Sequence, residues 1–127
     1  MTDRADIERL LTDLYDARVR GDLAGVCATF TPDAKFHIAG ASNASPIAMT
    51  AVGVGEFKPL LAIMIKTFKI SDHAILATII DGTKAAVHWQ SRIFSRITGA
   101  TNLTELVDII EIRDGRIASY TEFFAPR

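Results

Sequence analysis

Two acidic residues sit inside apolar rows near the end of the chain, Asp108 within LVDIIEI and Glu122 within SYTEFF. Strand side chains alternate between faces. A strand over 102–113 therefore puts Leu106, Asp108, Ile110 and Ile112 on one face, and Glu105, Val107, Ile109 and Glu111 on the other. A carboxyl in such a row is desolvated, which favours its neutral form and raises its pKa. If Glu122 shares a pocket with Asp108, mutual repulsion pushes one of the two pKa values up further, which suits an acid/base pair. Tyr120 offers a hydroxyl that can donate to a ligand carbonyl, and Trp89 offers a face on which a ring can stack. Each residue also has a structural reading. Asp108 could be bonded to Tyr120, a helix end or a water, Glu122 could bind Arg92 or another cation, and Trp89 could be plain core.

Other chemistry finds no support in the residue pattern. His37, His73 and His88 lie on separate elements without metal-ligand spacing, so no metal site is expected. His37 reads as a solvated histidine of an outer face or as a residue at a pocket mouth, and His73 as solvated. The single cysteine, Cys27, falls on the apolar face of a helix and reads as core. One cysteine excludes an intrachain disulfide. No Gly-rich loop joins a strand to a helix to hold phosphates, and no nucleophile elbow is present. No cofactor is expected.

These residues must be positioned by a small set of elements. Ile7, Leu10, Leu11 and Leu14 recur at helical spacing, so residues 3–20 form an amphipathic helix that Gly21 can end. Asp22 then caps a second helix carrying Leu23, Val26, Cys27 and Phe30. Thr31-Pro32-Asp33 breaks it, and Ala34 to Ala39 reads as a short strand. Residues 39–54 show no period and read as a loop, with Ile47, Met49 and Val52 as inward contacts. A third helix over 55–69 carries Phe57, Leu60, Leu61, Met64 and Phe68, with Pro59 accommodated in its first turn. Strands follow near 70–80, 84–97, 102–113 and 116–124. They are separated by turns at Asp81-Gly82, Thr98-Gly99 and Asp114-Gly115. Helices followed by a strand meander define an α+β domain spanning 1–127.

The chain has 127 residues, about half of them hydrophobic, enough for one domain with a sizeable core. Its net charge of −1 without long like-charge runs argues against a nucleic-acid surface. No apolar run reaches the roughly 20 residues that span a bilayer, so no membrane partner is expected. The charged start MTDRADIERL does not resemble a signal peptide, and the expected compartment is the cytoplasm.

The stretches YDARVRGDLAGVCATFTPDAKFHI, GVGEFKPLLAIMIKTF and ELVDIIEIRDGRIASYTEFFAPR together resemble the nuclear transport factor 2-like superfamily, in particular its SnoaL-like polyketide cyclase and ketosteroid isomerase-like branch. The resemblance implies a cone-shaped, curved, mixed sheet packed on three helices around a small-molecule pocket. Asp108 matches the position of the isomerase's oxyanion-holding carboxylic acid. Ile38 stands where that enzyme has its catalytic base, a departure that argues against isomerase activity itself. The isomerase's first-helix tyrosine falls at Leu14, one residue from Tyr15. The family pattern also favours a three-residue last turn, Arg113-Asp114-Gly115, pairing Ile112 with Arg116, over a two-residue turn. Asp108 would then lie opposite Tyr120 and Leu106 opposite Glu122. A two-residue turn would flip Tyr120, Glu122 and Phe124 away. A hairpin closing on Thr98-Gly99 would pair Trp89 with Asp108.

The expected site has Asp108, Glu122 and Tyr120 as catalytic groups, with Trp89, Leu106, Ile110, Phe124, Ile38 and Tyr15 as ligand contacts. The first function reading is a cofactor-independent enzyme that moves protons on a small hydrophobic or polycyclic molecule. A non-catalytic binding module and a dimeric interaction domain are the rivals. His88, Gln90 and Arg92 beside Val107 and Ile109 would make a homodimer surface on the outer sheet face.

Overall fold

The structure, a computed structural model, describes residues 3–39 and 49–126. Its elements are α1 (Arg4–Arg20), α2 (Leu23–Ala28), β1 (Phe30–Ala39), β2 (Met49–Val52), α3 (Val54–Thr67), β3 (Phe68–Asp81), β4 (Lys84–Ser95), β5 (Thr101–Arg113) and β6 (Arg116–Pro126). The strands form one curved sheet in the order β2-β1-β6-β5-β4-β3. The β1–β6 pair is parallel and every other pair antiparallel. The α+β cone expected from the sequence is the fold observed. Among the described residues no helix is long and apolar enough to cross a membrane.

Helix α1 is capped at its start by Asp3, whose side chain accepts from the Asp6 N–H, and Ile7, Leu11, Leu14 and Tyr15 are buried along one face. Gly21 ends it in the left-handed conformation, φ 71, and its N–H bonds back to Ala17 and Arg18 carbonyls. Asp22 immediately caps α2 through the Gly25 N–H at 2.9 Å. This tight corner lays α1 across the open inner face of the sheet.

Several boundaries differ from the sequence expectation. The strand expected at 34–39 begins at Phe30, because β1 runs through Pro32 with an irregularity between Phe30 and Lys35. That break in pairing leaves room for a proline without an N–H. The expected loop 39–54 contains β2, which pairs its Ala51 with Phe36. Ala51 is buried and Val52 is exposed, reversing the inward contact expected of Val52. Ile47 and the Met49 side chain lie outside the described residues. Pro59 is the sixth residue of α3 rather than a first-turn residue, since Gly53 caps the helix and starts it at Val54. The turn after β3 is Gly82-Thr83, one residue later than expected, with Gly82 at φ 61.

The last hairpin corrects the expected register. Asp114 and Gly115 both have positive φ, 53 and 77, as a two-residue type I′ turn requires, and Arg113 pairs with Arg116. That turn alone would have sent Tyr120 and Glu122 to the outer face. A bulge intervenes: Ile112 pairs with Ile117 but Glu111 pairs with Ser119, leaving Ala118 as the extra residue. Asp108 therefore faces Glu122, Ile110 faces Tyr120 and Leu106 faces Phe124. The set of inward residues is the expected one, reached by a different pairing. On the other side of β5, Trp89 pairs with Leu106 and Val87 with Asp108, so Trp89 approaches Asp108 diagonally.

The core lies between α1, α3 and the inner sheet face. Phe36 stacks on Tyr120 at 5.4 Å with ring planes 6° apart, and Phe30 packs on Phe57 at 5.0 Å. This cluster fixes the Tyr120 ring and keeps water from its hydroxyl end.

Gly21 tests the corner. An added Cβ would meet Ile65 Cγ2 at 3.3 Å and force a side chain into left-handed backbone. Gly21→Ala is expected to lower the unfolding free energy by roughly 1–2 kcal/mol in urea denaturation. Gly55→Ala, in ordinary helix with open space around it, is expected to raise it by up to about 0.5–1 kcal/mol.

Candidate functional site

Asp108 is fully buried and gathers three donors on one oxygen. Oδ2 accepts from Tyr15 Oη at 2.5 Å, Tyr120 Oη at 2.6 Å and Trp89 Nε1 at 2.7 Å. Tyr15 comes from α1, Trp89 from β4 and Tyr120 from β6, so three elements converge on the middle of β5. Oδ1 has no hydrogen-bond partner among the described residues.

Glu122 lies beside this cluster and is held by a cation. Arg18 Nη1 donates to Glu122 Oε2 at 2.5 Å and to Tyr120 Oη at 2.8 Å. The Tyr120 hydroxyl also lies 2.9 Å from Glu122 Oε2, so it bridges the two carboxyls. The Arg18 and Glu122 side chains are only 10% and 5% exposed. Arg18 further stands over the Trp89 ring, 5.4 Å from its centroid.

The charge states follow from these contacts. Burial, then the Glu122 charge, pushes the Asp108 carboxyl well above its ordinary value, outweighing Arg18. Burial also acts to raise Glu122, but the Arg18 charge and hydrogen bonds outweigh it and hold Glu122 below its ordinary value. Burial and the neighbouring carboxyls raise both tyrosine hydroxyls, Tyr15 and Tyr120, well above ten, so both stay donors. One buried cation thus balances one carboxylate, and the second carboxyl keeps its proton. Since Oδ2 is occupied by three donors, that proton belongs on Oδ1.

The structure brings together Asp108, Glu122, Tyr120, Trp89 and Tyr15. Tyr15, one residue from the position the resemblance gives for a first-helix tyrosine, reaches the cluster directly. Leu106, Ile110 and Ile38 are buried around the cluster and Phe124 is partly buried. These side chains pack against one another. Two clefts lie elsewhere: one of about 380 Å³ between α1, α2 and the β5–β6 turn, and one of about 240 Å³ beside Arg4 and Thr78. Glu122 binds Arg18 rather than Arg92, which pairs instead with Asp72 at the surface. His37 bonds Thr50 at 2.7 Å, away from the cluster.

Two residues were missed. Arg18 continues the buried face of α1 at the helical step from Leu11, Leu14 and Tyr15, and a cation on that face was the available signal. His73, expected to be solvated, is half-buried and stacks on Tyr15 at 5.5 Å while packing on Trp89 at 5.1 Å. Its alternation was hidden by irregular pairing between Ser71 and Ala74. Among the described residues no cluster of histidine, cysteine and carboxylate side chains could hold a metal ion.

The sheet order, the helix across its inner face and the polar cluster beneath that helix define a nuclear transport factor 2-like cone. Solved structures share it. A candidate isomerase from Bacillus subtilis matches at TM-score 0.86 with 17% identity, covering 98% of this chain and 90% of its own. A nuclear transport factor 2-like protein from Burkholderia xenovorans matches at TM-score 0.82 with 21% identity, covering 98% and 93%. An epoxide hydrolase of the LEH-like type from M. tuberculosis matches at 0.76 with 17% identity, covering 95% and 84%. No curated protein matches the chain by sequence. The chain belongs to the SnoaL-like domain family, whose model matches residues 11–120.

The protonation pattern has a signed consequence. Asp108 keeps its proton in the fold above the unfolded value of about 3.9, so its contribution is full below that pH and is lost as pH rises through its raised value. Glu122 works in the opposite sense: it stabilises above about 4.3 and loses that as pH falls through its lowered value. Asp108→Asn, which mimics the neutral acid, is therefore expected to be at least as stable as the parent at pH 8. Glu122→Gln strands the buried Arg18 and is expected to cost about 3–5 kcal/mol. Urea denaturation of both variants at pH 5 and pH 8 checks this. A parent stabilised over Asp108→Asn at pH 8 would contradict a neutral Asp108.

Proposed function

We propose that the chain is a cofactor-independent enzyme that moves protons on a small hydrophobic molecule, in an isomerisation, cyclisation or dehydration. The observation that carries this reading is the pairing of opposite protonation states within one hydrogen-bonded chain. Asp108 is a neutral acid with a free oxygen, Glu122 is an ionised base, and the Tyr120 hydroxyl bonds both. Asp108 delivers its Oδ1 proton to a ligand oxygen. The ionised Glu122 takes up the proton that leaves the ligand, and Tyr120, hydrogen-bonded to both carboxyls, then relays a proton from Glu122 back to the Asp108 carboxylate. Arg18 keeps Glu122 ionised, and Tyr15 and Trp89 stabilise the Asp108 carboxylate that forms. Each role follows general acid–base logic, in which neighbours split two carboxyls into an acid and a base.

The experiment is solvent deuterium exchange at the benzylic α-carbon of a ring-fused ketone such as β-tetralone, followed by NMR. The protein is expected to accelerate exchange over buffer. Asp108→Asn, which folds but has no acid proton to give, is expected to lose about two to four orders of magnitude. Exchange that is unaccelerated across a panel of such ketones, or that survives in Asp108→Asn, would count against the reading.

One observation favours a second reading, a non-catalytic domain. The expected pocket residues Trp89, Leu106, Ile110, Ile38 and Tyr15 are 0–3% exposed and fill the interior themselves. A co-purified ligand recovered unchanged after long incubation would support it. On the outer sheet face, Val107 and His88 lie in one cross-strand row with Phe123, and Ile109 lies in the next with Ala86 and Ile79. Ile79, Ile109 and Phe123 are exposed. We assign this face to a homodimer contact, and light scattering of the parent against Ile109→Arg would read it.

A further inference from the structure

β3 is an edge strand, and its ladder with β4 lapses between Ser71 and Ala74, where Asp72 takes a left-handed φ of 50. His73 falls in that lapse, so the β4 ladder does not pin its backbone. Its ring nevertheless turns inward. It stacks on Tyr15 at 5.5 Å with planes 27° apart and packs on Trp89 at 5.1 Å. Its Nε2 is buried without a hydrogen-bond partner among the described residues. A polar ring thus occupies an aromatic slot with one hydrogen bond unmet, which costs free energy.

The slot's surroundings describe a better occupant. Tyr15 and Trp89 direct their donor groups to Asp108, so neither is spent on His73, which meets the Tyr15 ring stacked and the Trp89 ring tilted at 48°. Arg18 stands against Trp89 and opposes protonation of His73, as burial does, while Asp16 acts the other way. A flat conjugated ring would keep the stacked contact with Tyr15 and the tilted one with Trp89 and leave no nitrogen unpaired. An electron-rich oxygen on that ring would be favoured by the Arg18 charge.

We propose that His73 is a built-in plug of an aromatic slot formed by Tyr15 and Trp89, displaced by a planar conjugated ligand bearing a hydroxyl or carbonyl oxygen. The proposal deepens the proton-transfer reading and rests on it for the ligand's fate, because the two rings that line the slot are the ones bonded to Asp108. The binding step itself involves no turnover.

The test titrates the full chain with α-naphthol and reads quenching of Trp89, the single tryptophan. His73→Ala removes the plug and is expected to bind about tenfold more tightly than the parent. His73→Phe keeps a ring in the slot without the orphan nitrogen, and is expected to melt higher than the parent and bind more weakly. In the parent, imidazole NMR should show His73 moving to solvent-exposed chemical shifts as naphthol saturates. Equal binding by parent and His73→Ala would overturn the proposal. So would a His73→Phe that binds as tightly as His73→Ala, or a His73 signal unmoved at saturation. Should His73→Ala fail to fold, His73→Phe and the NMR signal decide the matter. Failure here leaves the ketone-exchange result standing, and failure of that exchange leaves this binding measurement standing.

Discussion

A guanidinium carried into the interior on the first helix organises this molecule. Arg18 stays charged wherever it lies, so its surroundings must supply a negative charge or hydrogen-bond acceptors. Glu122 and the Tyr120 hydroxyl supply them. Once Arg18 and Glu122 have neutralised each other, a second buried carboxylate would leave net negative charge in a desolvated space. Asp108 escapes that by keeping its proton. The charge state of the site is therefore set by a residue that touches neither oxygen of Asp108. The backbone corner at Gly21 matters for the same reason, because it fixes where α1 ends and so where Arg18 and Tyr15 land.

The same packing explains why the cluster is closed. Tyr120 is clamped between Phe30 and Phe36, and Tyr15 meets Trp89 edge-on at 5.7 Å. Each ring both fills the core and donates to a carboxyl, so stability and chemistry use the same atoms. Asp108 Oδ2, Glu122 Oε2 and the Arg18 guanidinium thus find their partners within the cluster itself. Among the described residues, the buried side-chain atoms left without a partner are Asp108 Oδ1 and His73 Nε2, and both residues contact the Tyr15–Trp89 pair. The demand for further hydrogen bonds is concentrated there.

Most of the architecture was legible because it depends on period and punctuation. Helical spacing marked α1 and α3, and alternation placed Asp108, Leu106 and Ile110 on one face of β5. What escaped depends on departures from period. The Ala118 bulge compensates for the I′ turn at Asp114-Gly115, so the expected residues face inward by a register the turn alone would forbid. No local sequence signal marks that bulge. The lapse at Ser71–Ala74 likewise broke the alternation that would have turned His73 inward. β2 is four residues beside a stretch of small side chains, too short for any period to show. Arg18 was missed for a different reason. A cation on a buried helix face reads as solvated until the carboxylate that holds it, 104 positions away, is placed beside it.

Family membership fixes the cone but leaves the reaction to the interior side chains. Ile38 is the sharpest case. It occupies the position at which the resemblance to ketosteroid isomerases expects a base, and it is buried and apolar, paired with Glu122 across the parallel β1–β6 ladder. The ionisable group next to that position is Glu122, one strand over on β6, where Arg18 holds it. A base on β6 shares a face with the acid on β5 and is joined to it by Tyr120. A base at the Ile38 position on β1 would be the cross-strand neighbour of Glu122, one strand further from Asp108 on the same inner face. The interior therefore differs from the pattern the resemblance implies in which strand carries the second ionisable group, and that difference lies in side chains rather than in the fold.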